Sequence, residues 1–162
     1  MILNDLMRIG FGFDVHPLVE NVPFTLGGIL IPHNKGAKGH SDADALIHAI
    51  CDALLGAVNL GDIGMHFPDS DPTLKGVDSK LLLQKTVRLI TQKGYRIVNI
   101  DTTVCLQQPK LRPYIPQMQE ILANVMSISV DDISIKATTT EKLGFTGREE
   151  GVSAYAIVLV SL

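Results

Sequence analysis

Asp14 and His16 stand two positions apart in the stretch GFGFDVHP. Residues two apart on an extended strand share a face, so this carboxylate and imidazole lie side by side while Phe13 and Val15 turn the other way. A third residue of the same chemistry follows in HSDADALIHAICDALLGAVNLGD. There Leu46, Ile50 and Ala53 form the apolar stripe of a helix, and Asp44, His48 and Asp52, each four apart, fall on roughly the opposite face. Asp14, His16 and His48 together would give two histidines and one carboxylate with a fourth position open, the catalytic rather than the structural form of a zinc site. A core histidine bonded to a backbone carbonyl is the competing reading of His48, and spacing alone leaves both open.

Three further constellations carry polar groups suited to phosphates and sugars. In LGDIGMHFPDSDP, Asp62, Asp69 and Asp71 alternate with glycines and prolines, which describes a structured loop with exposed amides and carboxylates, able to contact a polyol or hold a lid. Plain Asx turns are the alternative, and for Asp71 before Pro72 the better one; His66 is unassigned. Just upstream, His40 and Ser41 sit where a helix start favours an anion; a simple N-cap explains Ser41 but not His40. IKATTTEKLGFTGREEG places threonine hydroxyls after a strand, with Glu141 as a hard-cation ligand, or is a Thr-rich connection. In QQPKLRPYIP, Lys110 and Arg112 lie between prolines in a stiff turn, as a phosphate or nucleotide contact or as ordinary surface charge. The constellations converge on phosphate chemistry assisted by two unlike cations.

The elements that must position these groups are marked by period and punctuation. MRIGFGFDVH reads as a strand ending at His16, and VPFTLGGILIPH as a hairpin turning at Gly27-Gly28. Ser41 with Asp44 three residues on is a capping-box-like start for a helix over Asp42 to Leu55, stopped at Gly56. A second helix opens at Asp78 or Ser79 and closes at Gly94; RIVNIDTTVCLQ is a strand; PYIPQMQEILANVM is a third helix. DISIKAT and GVSAYAIVLVSL are strands. Alternating helices and strands predict an α/β (α+β) fold, a mixed β-sheet with helices packed on one face. The last strand, apolar on both faces, predicts that a second subunit covers the other side.

The chain has 162 residues, 46% of them hydrophobic and 19% charged, which suits a single globular domain over 1–162. Its net charge of -3, from 14 basic and 17 acidic residues without a basic run, argues against nucleic acid and an anionic membrane surface as partners. Cys51 and Cys105 are far apart and outside any CxxC, which fits a reducing compartment. No targeting pattern and no apolar run of about 20 residues is present, so the expected location is cytoplasmic.

The motifs GFDVH, GHSDADALIHAICDALLGA, LGDIGMHFPD, QQPKLRPYIPQM and IKATTTEKLGFTGREEG, in this order from Met7 to near the end of the chain, resemble those of the 2-C-methyl-D-erythritol 2,4-cyclodiphosphate synthase family. The resemblance implies a homotrimer with its sheets facing the threefold axis and its active sites between adjacent subunits, in the non-mevalonate isoprenoid pathway. It implies Zn2+, one per subunit, at Asp14, His16 and His48, and Mg2+ or Mn2+ bound through Glu141 and the substrate diphosphate. His40, Ser41, Phe67 and Asp69 would meet the methylerythritol phosphate, with Asp14, His16, Asp62, Ile63 and Gly64 also in the substrate site. Leu106, Pro109, Lys110, Leu111 and Arg112, with Ala137, Thr138 and Thr139, would form the cytidine and diphosphate pocket. His40 and Thr139 match positions that stabilise the transition state. Phe145 and Arg148, with Glu150, match residues of an axial cavity that can hold an isoprenoid diphosphate.

The sequence departs from the family pattern at Phe11, where a polar residue is common, and at Glu149, which replaces a small residue and adds an anion beside Arg148. Residues 1–6 have no counterpart and are expected to be a disordered extension. Two other readings compete: a zinc-dependent phosphohydrolase of a nucleotide-linked diphosphate, in which water is the nucleophile, and a non-catalytic metal- or isoprenoid-sensing trimer. No Ser-His-Asp or Cys-His nucleophile constellation is present, as expected if the substrate's own phosphate attacks.

Overall fold

The computed structural model of the chain describes residues 6–162, so the expected N-terminal extension lies, for residues 1–5, outside the described residues. Strand β1 (Met7–Glu20) obeys the period of two: Ile9, Phe11, Phe13 and Val15 are exposed, while Gly10 and Gly12 are buried and Asp14 and His16 half-buried. The strand runs past His16, where its expected end lay, because it exchanges partners. It then pairs through Leu18, Val19 and Glu20 with a strand absent from the sequence reading, β4 (Lys35–Ala37). Between them lies the hairpin of β2 (Phe24–Leu26) and β3 (Ile29–Ile31), turning on Gly27 and Gly28 at φ 60° and 78°, which only glycine adopts without strain.

Helix α1 (Ala45–Ala57) starts later than expected. Ala43 is left-handed at φ 57°, so no helix can run through it. Ser41 is therefore not the cap; Asp44 is, accepting from the Ile47 amide at 3.1 Å. Gly56 lies inside the helix rather than ending it, and the left-handed residue after the end is Asn59. The helix is buried nearly all round, so its polar stripe of Asp44, His48 and Asp52 faces neighbouring elements instead of solvent.

The short helix α2 (Ile63–His66) interrupts what read as loop. Helix α3 (Ser79–Gln92) is capped by Asp78, and β5 (Arg96–Cys105), α4 (Ile115–Met126), β6 (Ile133–Thr138), the single turn α5 (Gly144–Gly147) and β7 (Gly151–Ser161) complete the chain. The five-stranded sheet has the order β4-β1-β7-β5-β6, with β7 antiparallel to both neighbours and β5 parallel to β6. It is mixed, and the helices pack on one face. There Val152, Ala154, Ala156, Val158 and Val160 of β7 are buried with α1, while Tyr155 and Ile157 on the opposite face are exposed.

Two glycines set the distance between β1 and α1. A Cβ on Gly10 would sit on the carbonyl oxygen of Ala53, and one on Gly12 on that of Ala49. Each two-residue step along the strand thus descends one helical turn, and the next steps carry Asp14 and His16 to the first turn of α1, where His48 stands. A second tie fixes that end. Asp44, fully buried, also accepts from the amides of Gly27 at 2.9 Å and Gly28 at 2.7 Å. Burial pushes its carboxyl up, and the three backbone donors oppose this. No helix among the described residues is long and apolar enough to cross a membrane.

Candidate metal centre and adjoining cavities

Asp14 Oδ2 lies 2.8 Å from His16 Nε2 and 2.9 Å from His48 Nδ1, and the two imidazole nitrogens are 3.1 Å apart. One carboxylate oxygen and two ring nitrogens therefore converge on one point. They form the one such group of candidate ligands among the described residues. Two nitrogens and one oxygen suit a borderline ion such as zinc and leave a fourth tetrahedral position free. The donors are already close to the spacing of about 3.3 Å that tetrahedral bonds of about 2.0 Å would give, so the residues fit a metal.

The electrostatics follow from packing like donors together. Burial alone would raise the Asp14 carboxyl, but hydrogen bonds from His16 and His48 and their charge outweigh it and hold it at about 2. Burial works against a charged His48 ring, yet the hydrogen bond and charge of Asp14, with Asp44 and Asp42 behind, push its pKa up.

The cluster forms one wall of a cavity of about 530 Å³, lined also by His40, Ser41, Ile63, Gly64, Phe67 and Asp69. His40 donates from Nε2 to the Asp71 carbonyl at 3.2 Å, which holds its ring against the wall. Asp52, one turn after His48, accepts the Ile63 amide at 2.7 Å and pins the loop of Ile63 and Gly64 to α1. Asp62 is not among the lining residues. Its side chain caps α2 by accepting from Met65 at 3.0 Å. Asp71 makes an Asx turn with the Thr73 amide and hydroxyl, and His66 donates to the Leu60 carbonyl at 2.8 Å.

A second cavity of about 140 Å³ gathers Leu106, Pro109, Lys110, Leu111, Arg112, Ala137, Thr138 and Thr139. Leu106 and Leu111 form its buried floor, while Lys110 and Arg112 are exposed. Nearby, Glu141 and Lys142 are both left-handed, at φ 53° and 65°, and the Thr139 hydroxyl donates to Glu141 at 3.2 Å. Phe145 and Arg148 line neither cavity. The Arg148 guanidinium is held by both oxygens of Glu150 at 3.0 and 2.9 Å.

Two polar residues that the sequence marks only as helix starts, Ser79 and Asp42, stand beside the cluster. Ser79 places its hydroxyl 3.0 Å from His48 Nε2, and Asp42 accepts both the Ser79 hydroxyl and its amide. One local feature points to Ser79: Asp78 already caps α3, which leaves the neighbouring hydroxyl without a capping task.

The sequence profile of the YgbB family matches residues 7–161. A 2-C-methyl-D-erythritol 2,4-cyclodiphosphate synthase of Bacteroides fragilis is 66% identical over 155 residues, 96% of this chain and 98% of the relative. Among solved structures, a 2C-methyl-D-erythritol-2,4-cyclodiphosphate synthase in a CDP-bound form superposes with a TM-score of 0.88 at 40% identity, covering 94% of this chain and 99% of its own. The bifunctional IspDF of Campylobacter jejuni superposes with a TM-score of 0.94 at 41% identity, covering 98% of this chain and 43% of its own.

Proposed function

The chain belongs to the YgbB family, and from that premise we infer how its two cavities divide one substrate between them. It is a cyclodiphosphate synthase of isoprenoid biosynthesis: it converts 4-diphosphocytidyl-2-C-methyl-D-erythritol 2-phosphate into 2-C-methyl-D-erythritol 2,4-cyclodiphosphate and CMP. An oxygen of the 2-phosphate bonds to the β-phosphorus, the bond from that phosphorus to the bridging oxygen breaks, and its electron pair departs with CMP. This makes the enzyme a phosphorus-oxygen lyase. The observation that carries the reading is the Asp14/His16/His48 cluster opening onto the cavity of His40, Ser41 and Phe67.

The nucleophile is already anionic, so the protein's task is to hold two phosphates together against their repulsion. Bound by Asp14, His16 and His48, Zn2+ would polarise a phosphoryl oxygen, and Mg2+ or Mn2+ held with Glu141 would neutralise diphosphate charge. In our reading the first cavity binds the methylerythritol phosphate, with Asp62 contributing through the shape of the loop that it caps. The second cavity takes cytidine on its apolar floor and the diphosphate on Lys110, Arg112 and the threonines. His40, fixed at Nε2 by the Asp71 carbonyl, and Thr139, whose hydroxyl rests on Glu141, would stabilise the developing charge, and Glu141 would be the carboxylate that holds the second cation.

The register supports placing the active site between subunits. Asp14, Ala154, Val104 and Ala137 lie in one row across β1, β7, β5 and β6, so the two cavities are separated by three strand spacings, about 14 Å. Ala154 and Val104 between them are fully buried, which closes the direct path within one chain. Ile9, Phe11, Phe13 and Val15 of β1, with Tyr155 and Ile157 of β7, form an exposed apolar sheet face, large enough to need a partner. We therefore propose a homotrimer with its sheets turned toward the threefold axis, each subunit a single catalytic domain in the cytoplasm. Phe145 and Arg148 are the residues for an isoprenoid diphosphate on that axis, which would have to displace Glu150 from Arg148.

Phosphorus NMR of the purified enzyme with the diphosphocytidyl substrate and both metals tests the reading. The cyclic diphosphate and CMP are expected. A linear phosphate product from attack by water would overturn it in favour of a phosphohydrolase, and no turnover by a metal-loaded protein would favour a sensor.

A further inference from the structure

We propose that Ser79, held by Asp42, is the positioning residue that sets the tautomer and rotation of His48, so that Nδ1 is the nitrogen offered to the metal. The inference rests on the reading of His48 as a ligand and adds what keeps it one. His48 is a helical residue on a short arm, and its ring can present either nitrogen. Its Nδ1 faces Asp14 and His16, while its Nε2 lies 3.0 Å from Ser79 Oγ and 3.1 Å from Ser41 Oγ.

The direction of the Ser79 hydrogen bond is determined by Asp42. One carboxylate oxygen of Asp42 takes the Ser79 hydroxyl at 2.5 Å and the other takes the Ser79 amide at 3.1 Å. An ionised carboxylate accepts only, so the hydroxyl proton is committed to Asp42. Toward His48 the oxygen of Ser79 can then only accept, which requires the proton on Nε2 and leaves the lone pair on Nδ1. Ser41 does not impose this, because its hydroxyl proton is not committed to any carboxylate: its oxygen accepts the Ala43 amide at 3.2 Å and it lines the substrate cavity.

Asp42 is itself immobilised. Its amide donates to the Val77 carbonyl at 3.1 Å, and its Oδ1 also accepts the Asp44 amide at 3.3 Å. Ser79 is fully buried at the first position of α3. The chain His48 Nε2–H to Ser79 to Asp42 thus joins α1, α3 and the loop before α1 into one hydrogen-bonded unit. A metal-bound histidine whose second nitrogen is so held keeps its orientation and donor strength, and loss of such a partner typically lowers metal affinity about 10–100-fold.

The test uses the full-length zinc-loaded protein. Nitrogen-15 histidine NMR should show His48 protonated on Nε2 with the metal on Nδ1; a proton on Nδ1 overturns the proposal whatever any variant does. By chelator competition, Ser79→Ala should bind zinc about 10–100-fold more weakly, and Asp42→Asn, which still accepts from Ser79, should lose less. A Ser79→Ala protein that keeps wild-type zinc affinity and the Nε2–H tautomer refutes the role of Ser79, while loss of zinc in His48→Ala leaves the ligand reading standing. If His48→Ala also retains one zinc per chain with wild-type affinity, the ligand reading itself fails and the proposal with it.

Discussion

The cluster at Asp14, His16 and His48 is built between a strand and a helix, and its side chains are only 25%, 16% and 12% exposed. The cavity at Lys110, Arg112 and Thr139 is built from the loop that follows β5 and from the end of β6 with the residue after it, and its two cations are exposed. The first region has backbone clearance, buried carboxylates and second-nitrogen bonds all fixing one point in space. The second has an apolar floor and charged groups free to adapt. A site that positions a metal must be held to a fraction of an ångström, whereas a site that grips a flexible nucleotide can tighten as it binds. On the proposed reading, this contrast would suit a substrate with one reacting end and one anchoring end.

Gly12→Ala should separate the two regions most strongly. The new Cβ would meet the Ala49 carbonyl and lie 2.7 Å from the Ala53 amide nitrogen, and neither backbone group can turn aside. We expect a loss of about 3 kcal/mol of stability, read from urea unfolding, together with weakened zinc binding as α1 is pushed off β1. Residual nucleotide affinity should persist in whatever fraction stays folded. Wild-type stability and wild-type zinc affinity in this variant would show that the glycines do not set the strand-helix distance.

A smaller effect comes from titrating the cluster in metal-free protein. Asp14 is depressed from 3.8 to about 2, so its contribution is fully present above pH 4 and is lost as pH falls through 2. By linkage this is on the order of 2 kcal/mol. His48 is raised, so the same interaction, seen from the histidine, is present below its ordinary value near 6.5 and is lost as pH rises through the raised value. Metal-free protein should therefore be most stable between about pH 4 and 6.5, and zinc, which needs neutral His48, should abolish the alkaline limb. Melting curves against pH with and without zinc check this. An identical alkaline limb in both forms would mean that the proton and the metal do not compete for the cluster.

How far sequence reaches differs between the regions for physical reasons. The shared face of Asp14 and His16 is legible because a strand has a fixed period, and the turn at Gly27-Gly28 because its φ values demand glycine. The start of α1 is not, since Ser41 and Asp44 are equally good local caps; Asp44 prevails through tertiary contact with the hairpin amides. Ser79 is hidden for the same reason, its partner Asp42 being 37 residues away. The membership of the second cavity follows from family resemblance and not from period, because most of it comes from loops, which carry no period to read.

That second cavity gives the smallest expected effect. Lys110 is exposed, so any charge pairing with a bound diphosphate is screened by solvent and salt. Lys110→Ala should weaken binding of cytidine diphosphate about fivefold, near the 1 kcal/mol upper range of an exposed pair, and the deficit should shrink as salt rises. Zinc affinity should not move, because Ala137, the cavity residue in register with Asp14, lies three strands from it. Calorimetric titration of nucleotide and chelator competition for zinc, on the same variant, measure both. If nucleotide binding is unchanged at every salt concentration, the cavity does not hold the diphosphate through this lysine. If zinc weakens in parallel, the rigid and adaptable regions are coupled through the sheet, and the independence drawn from their construction is wrong.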